Sequence, residues 1–188
     1  MVCVSANRAG ADWLFTPFLG GTFGMTTTFN DYELAEGSKH VIFGGSGAWL
    51  ARDRILGGEL DFSYSPHFFE TGSRAGVVLS SNVGTFTASV IAAAPLSLTR
   101  ESLRPYLVGG AGVIHATIED VAGLSTVHDN LAGIALGGGV LGFLTRNTGV
   151  RFDLRHYRTF SRSQDPVSGT EGTRLSFWRA TVGVTIRY

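Results

Sequence analysis

The sequence predicts an all-β fold, an eight-stranded antiparallel up-and-down transmembrane β-barrel. Three observations point to it. Apolar and polar residues alternate strictly through several segments, which is the period of a strand and not of a helix. Every apolar stretch is broken by glycine, threonine or charge, well short of the ~20 residues that a membrane helix needs. The connections between alternating segments come in two styles, short and long, taken in turn. A chain of 188 residues suits one such domain.

The last segment shows the alternation most clearly. Ser176, Trp178, Ala180, Val182, Val184, Ile186 and Tyr188 share one face, and Arg179, Thr181, Gly183, Thr185 and Arg187 share the other. From Leu56 the pattern repeats, with Leu56, Gly58, Leu60, Phe62 and Tyr64 opposed by Glu59, Asp61, Ser63 and Ser65. Val150, Phe152 and Leu154 oppose Arg151, Asp153 and Arg155, while Tyr106, Val108, Gly110 and Ile114 oppose Gly109, His115 and Thr117. Completing the pattern places strands near 13–24, 39–51, 54–66, 77–92, 104–118, 130–146, 149–160 and 173–188. The short connections are then Arg52-Asp53 and Asn147-Thr148, with a longer link from Ala93 to Leu103. The long polar connections are 25–38, 67–76, 119–129 and 161–172. Glycine pairs and triplets such as Gly137-Gly138-Gly139 fall inside strands, where a tightly curved barrel with a crowded interior has a use for them.

Charge decides which face meets lipid. Glu59, Asp61, Arg151, Asp153, Arg155 and Arg179 all lie on the less apolar faces. A basic residue exposed to lipid at mid-depth costs about 2–4 kcal/mol, whereas charges inside a barrel can pair with one another. These six are therefore read as a salt-bridged network filling the lumen. The alternative is a soluble, lipocalin-like barrel with the faces reversed. Aromatics favour lipid: Trp13, Trp49, Tyr106 and Tyr188 fall near the rim of the short connections and are read as an interfacial girdle.

The formal net charge is zero, with no basic run, which gives no electrostatic reason to bind nucleic acid. Cys3 is the only cysteine, so no internal disulfide can form, and no lipidation motif surrounds it. Ala9-Gly10-Ala11 is similar to a signal-peptide cleavage site, although the preceding residues are too few for an apolar core. Residues 1–11 are read as a signal-peptide remnant or flexible N-terminus and 12–188 as the barrel.

The final eight residues, Thr181 to Tyr188, resemble the C-terminal assembly signal of outer-membrane proteins, with Gly183, Ile186 and the terminal aromatic Tyr188 at its defined positions. Two further stretches, Arg104 to Val113 and Thr148 to Tyr157, resemble the small outer-membrane β-barrel superfamily that includes the membrane domain of outer-membrane protein A and opacity-type proteins. The resemblance implies a place in the cell outer membrane of a Gram-negative bacterium. It implies surroundings of outer-membrane lipid and lipopolysaccharide, handling by the barrel-assembly machinery, and long loops outside the cell. A fold of this kind does not specify one activity.

The residues point to no catalytic, cofactor or metal site. His40, His67, His115, His128 and His156 include no pair at metal-ligand spacing. Lipid A deacylases are also eight-stranded barrels, with a His-x-Ser pair on a late strand. The corresponding residues here are His156-Tyr157-Arg158, so the serine is missing at that spacing. The expected function is non-enzymatic, structural or surface-interacting, with a polar plugged lumen and four external loops. A small-ligand or lipid-binding barrel or minor channel is the alternative, and a lipid-modifying enzyme stands third.

Overall fold

A computed structural model describes residues 11–27, 40–51, 55–66, 78–95, 103–120, 126–160 and 175–188. Eight strands run in chain order: β1 (Ala11–Thr27), β2 (His40–Ala51), β3 (Leu56–Pro66), β4 (Val78–Ala93), β5 (Leu103–Asp120), β6 (Thr126–Phe143), β7 (Thr148–Thr159) and β8 (Leu175–Arg187). Each is antiparallel to its sequence neighbour, and β1 also pairs with β8, so the sheet closes on itself. Closure gives every strand a partner on both sides and removes the exposed edge that an open sheet would present.

Some boundaries differ from those expected. β5 and β6 stay paired as far as Glu119 opposite Thr126, so the long connection expected at 119–129 narrows to 121–125. Ladder hydrogen bonds continue there although alternation in side-chain polarity has faded. β6 ends at Phe143, not at 146, and the chain turns over 144–147. Thr145 Oγ1 accepts the backbone N–H groups of Asn147 (3.3 Å) and Thr148 (3.0 Å), which satisfies the turn internally. β1 runs on to Thr27 through a register shift against β8 between Phe23 and Thr26. Gly24 lies in that irregularity with φ at 61°, a left-handed conformation that favours glycine. The expected Arg52-Asp53 turn, most of the other long connections and the expected signal remnant up to residue 10 lie outside the described residues.

The barrel interior is stratified. At the end that carries the 144–147 turn, Leu14, Leu50, Ile91, Ala93, Tyr106, Val108 and Leu141 pack together. At the other end, Val83, Ile114, Leu131, Ala135, Tyr157, Leu175 and Phe177 form a second apolar cluster, with the Tyr157 and Phe177 rings stacked 5.0 Å apart. The buried charges of β3, β7 and β8 lie between these two layers, while Asp12 and Arg104 are buried at the short-turn rim, outside the first of them.

Candidate functional site

Alternation on β3, β7 and β8 turns Glu59 and Asp61, then Arg151, Asp153 and Arg155, then Arg179 into the lumen, and all six are buried. β3 and β7 stand across the ring from one another, and their side chains meet in the middle. Glu59 is shared: one carboxylate oxygen takes Arg151 Nη2 at 2.6 Å, and the other takes Arg155 Nη2 at 2.5 Å. Asp153 accepts from Arg155 Nε at 2.7 Å and from Arg151 Nη2 at 3.1 Å. Arg179 holds Asp61 through both terminal nitrogens, at 2.7 and 3.0 Å, in the forked geometry that a guanidinium offers a carboxylate.

These three carboxylates and three guanidiniums balance, so the cluster is neutral as a unit. Neutral side chains extend it. Arg151 Nε donates to the Tyr106 hydroxyl (2.7 Å), which itself donates to Asp153 (2.6 Å), and Arg151 Nη1 donates to Ser46 (3.2 Å). The Arg179 guanidinium lies over the rings of Phe18 and Tyr157. Small residues make the room. A Cβ on Gly139 would collide with the Tyr106 hydroxyl, and one on Gly137 with the Arg155 side chain.

Three of the girdle residues come together. Trp13 and Trp49 are direct cross-strand partners, Tyr188 N–H donates to Trp13 O at 3.0 Å, and all three side chains are exposed on the outside at the short-turn rim. Tyr106 does not join them. It is 7% exposed and points inward, so its placement in the girdle is corrected: its phenol is worth more as a bridge between Arg151 and Asp153 than as a headgroup contact. Arg104, two residues earlier and buried on the same face with Nε on Ala94 O at 2.8 Å, is the signal that separates the two placements. Of the assembly-signal residues, Gly183 faces inward, with no room for a Cβ beside Thr16, while Ile186 is half-buried and Tyr188 exposed. The ion pair between Arg187 and Asp12 (3.4 Å), beside Phe143, and the two apolar layers that close the lumen are not apparent from the sequence pattern.

The exterior is the reverse of a soluble protein. Trp13, Phe15, Leu19, Val41, Phe43, Leu60, Phe62, Phe86, Val90, Leu107, Leu136, Phe152, Val182 and Val184 are all exposed, and together they make a continuous apolar belt. Among the outward strand positions whose side chains are described, Arg158 is the one Asp, Glu, Lys or Arg. Charges inside and an apolar surface outside are the arrangement of a transmembrane barrel, and they exclude the lipocalin-like alternative. Among the described residues no group of His, Cys, Asp and Glu is arranged to hold a metal ion.

No protein-family model matches the chain, and no curated protein matches it in sequence. Solved structures do match in fold. Neisserial surface protein A is 15% identical, with a TM-score of 0.67 over 95% of this chain and 99% of that one. A major outer membrane protein of Thermus thermophilus is also 15% identical, with a TM-score of 0.59 over 94% and 99%. Ail, the attachment invasion locus protein of Yersinia pestis, solved in complex with the heparin analogue sucrose octasulfate, is 14% identical, with a TM-score of 0.53 over 95% and 99%. The chain therefore has the fold of the small eight-stranded outer-membrane barrels.

Proposed function

We propose that this chain is a non-enzymatic protein of the cell outer membrane, closed to ion flow, that acts through its long loops at the outer surface. One observation carries the reading: the neutral charge cluster of the lumen is capped by an apolar layer on either side. An ion crossing the lumen in either direction must lose water against Leu, Val, Ile and aromatic side chains before it can displace a guanidinium of the central cluster from its carboxylate. In this reading the rim with the short 144–147 turn and the exposed Trp13, Trp49 and Tyr188 is the periplasmic one, and the long connections leave the opposite rim. On this reading outer-membrane lipid and lipopolysaccharide lie against the belt, and an external partner meets the loops. The attachment in Ail's name belongs to that protein and supports a surface role here only by analogy of fold.

Planar bilayers test the closed lumen. Purified, refolded protein is expected to leave the bilayer at baseline conductance, and steady single-channel steps from the unmodified chain would replace this reading by the minor-channel alternative. Assembly is tested separately. Deleting Tyr188 is expected to lower the heat-modifiable protein in the outer-membrane fraction several-fold, if its exposed ring beside Trp13 acts as the aromatic of the proposed assembly signal. Normal yield would remove Tyr188 from that role.

A further inference from the structure

Among the described residues the lipid-facing surface is apolar around most of the ring, and a polar cluster is set into it where β7 and β8 approach the long-loop rim. Reading outward along β7, the exterior positions run Val150, Phe152, Leu154, His156, Arg158, so the strand changes from apolar to basic within two steps. Arg158 is exposed, and none of the described residues forms an ion pair with it. Its ladder partner on β8 is Ser176 and on β6 is Ile134. Ser176 Oγ lies 2.9 Å from His156 Nε2, and the His156 ring packs 4.8 Å from that of Trp178. The ladder row through His156 reads Leu136, His156, Trp178, Phe23, so the imidazole is flanked by apolar neighbours in both directions.

Depth matters for a charge in this position. Eight residues of strand, tilted as barrel strands are, put Arg158 roughly 20 Å above Val150, close to the outer margin of a belt about 25 Å tall. At that level the groups that meet a guanidinium are lipid headgroups, and below it acyl chains would lie along Leu154, Ala180 and Val182, all exposed. A phosphate monoester matches the donors present: a planar fork of N–H groups from Arg158, with a hydroxyl and a ring nitrogen beside it.

We propose that Arg158, His156 and Ser176 form a binding site for the phosphate of a membrane lipid, with Trp178 and the apolar face of β7 and β8 receiving its acyl chains. The site rests on the membrane reading above but not on which rim faces outward. It is distinct from the charged lumen, because these side chains leave the barrel on the opposite face.

Trp178 offers a local reporter. The chain has three tryptophans, and Trp13 and Trp49 lie at the far rim, so replacing both by phenylalanine leaves Trp178 as the only indole. The refolded W13F/W49F protein, in dodecyl maltoside, is titrated with dioleoyl phosphatidic acid, with dioleoylglycerol, and with inorganic phosphate. Saturable change in Trp178 emission is expected with phosphatidic acid, at least tenfold weaker with dioleoylglycerol and absent with millimolar inorganic phosphate. Arg158→Ala should weaken the phosphatidic acid response at least tenfold while heat-modifiability on gels stays normal, and Arg158→Lys should restore part of it. Equal responses to the two lipids, saturation by inorganic phosphate alone, or full binding by Arg158→Ala would each overturn the site. So would release of free fatty acid that is lost in Ser176→Ala, since the pair would then be a nucleophile and base. The rim is checked apart from binding: in a Cys3→Ser background, Phe160→Cys should react with an impermeant thiol reagent on whole cells. Failure to label would overturn the outward placing of that rim and leave the micelle result standing.

Discussion

Arg155→Ala is expected to destabilise the refolded barrel by about 3–5 kcal/mol, the cost of leaving buried charge without its partner. Arg155 reaches Glu59 and Asp153 and lies 4.0 Å from Asp61, with its side chain 1% exposed and that of Glu59 fully buried. Its loss leaves three carboxylates facing two guanidiniums in a space that apolar layers close above and below. The apolar layers limit the water that can replace the missing donor, so the penalty should fall nearer the buried limit than the surface one. Urea titration of protein refolded in vesicles measures it. Glu59→Ala should cost a similar amount, because Glu59 also holds Arg151. The double variant should cost less than the sum of the two, since the second loss removes a charge that the first has already stranded. Arg146→Ala, in the exposed turn, should stay within about 0.5 kcal/mol of the parent. Strict additivity of the Arg155 and Glu59 losses would mean that the two charges are hydrated separately, and the sealed lumen would fail with it.

The parts of this arrangement that were legible in the sequence are those governed by the strand period alone. Glu59 and Asp61, or Arg151, Asp153 and Arg155, share a face because they are two residues apart, and charge then says that the face is inward. Which acid meets which arginine depends on the stagger of strands across a closed ring, and no local pattern carries that. β6 shows a second limit. Leu131, Ala135 and Leu141 point inward while Ile134, Leu136 and Val140 point outward, and two apolar faces look alike in sequence. The apolar layers that seal the lumen were hidden for that reason. Tyr106 was misplaced because a phenol suits both a headgroup and a salt-bridge network, and only its parity with Arg104 separates them. The pairing of His156 with Ser176 was invisible for a further reason. It depends on the register of β7 against β8, which 15 residues separate in the chain between Thr159 and Leu175.

Leu60→Arg is expected to cost about 2–4 kcal/mol of insertion stability, the penalty for a basic side chain on the lipid face at mid-depth. Leu60 sits in the middle of β3, 55% exposed, opposite Gly47 on β2 and Ala88 on β4. Its neighbours are small, so a longer side chain meets no steric obstacle there, and the cost isolates the transfer of charge into hydrocarbon. Phe160→Arg gives the comparison, because Phe160 is exposed just beyond the end of β7, where the same substitution should cost no more than about 1 kcal/mol. The measurement is the urea midpoint of each variant refolded into phospholipid vesicles, against that of the parent. In detergent micelles, which deform around a charge more easily than a bilayer does, the gap between the two variants should narrow. If Leu60→Arg and Phe160→Arg are tolerated equally in vesicles, then the belt of exposed Leu, Phe and Val is not in contact with lipid. The inside-out distribution of charge would then require another explanation, such as burial of this face against protein.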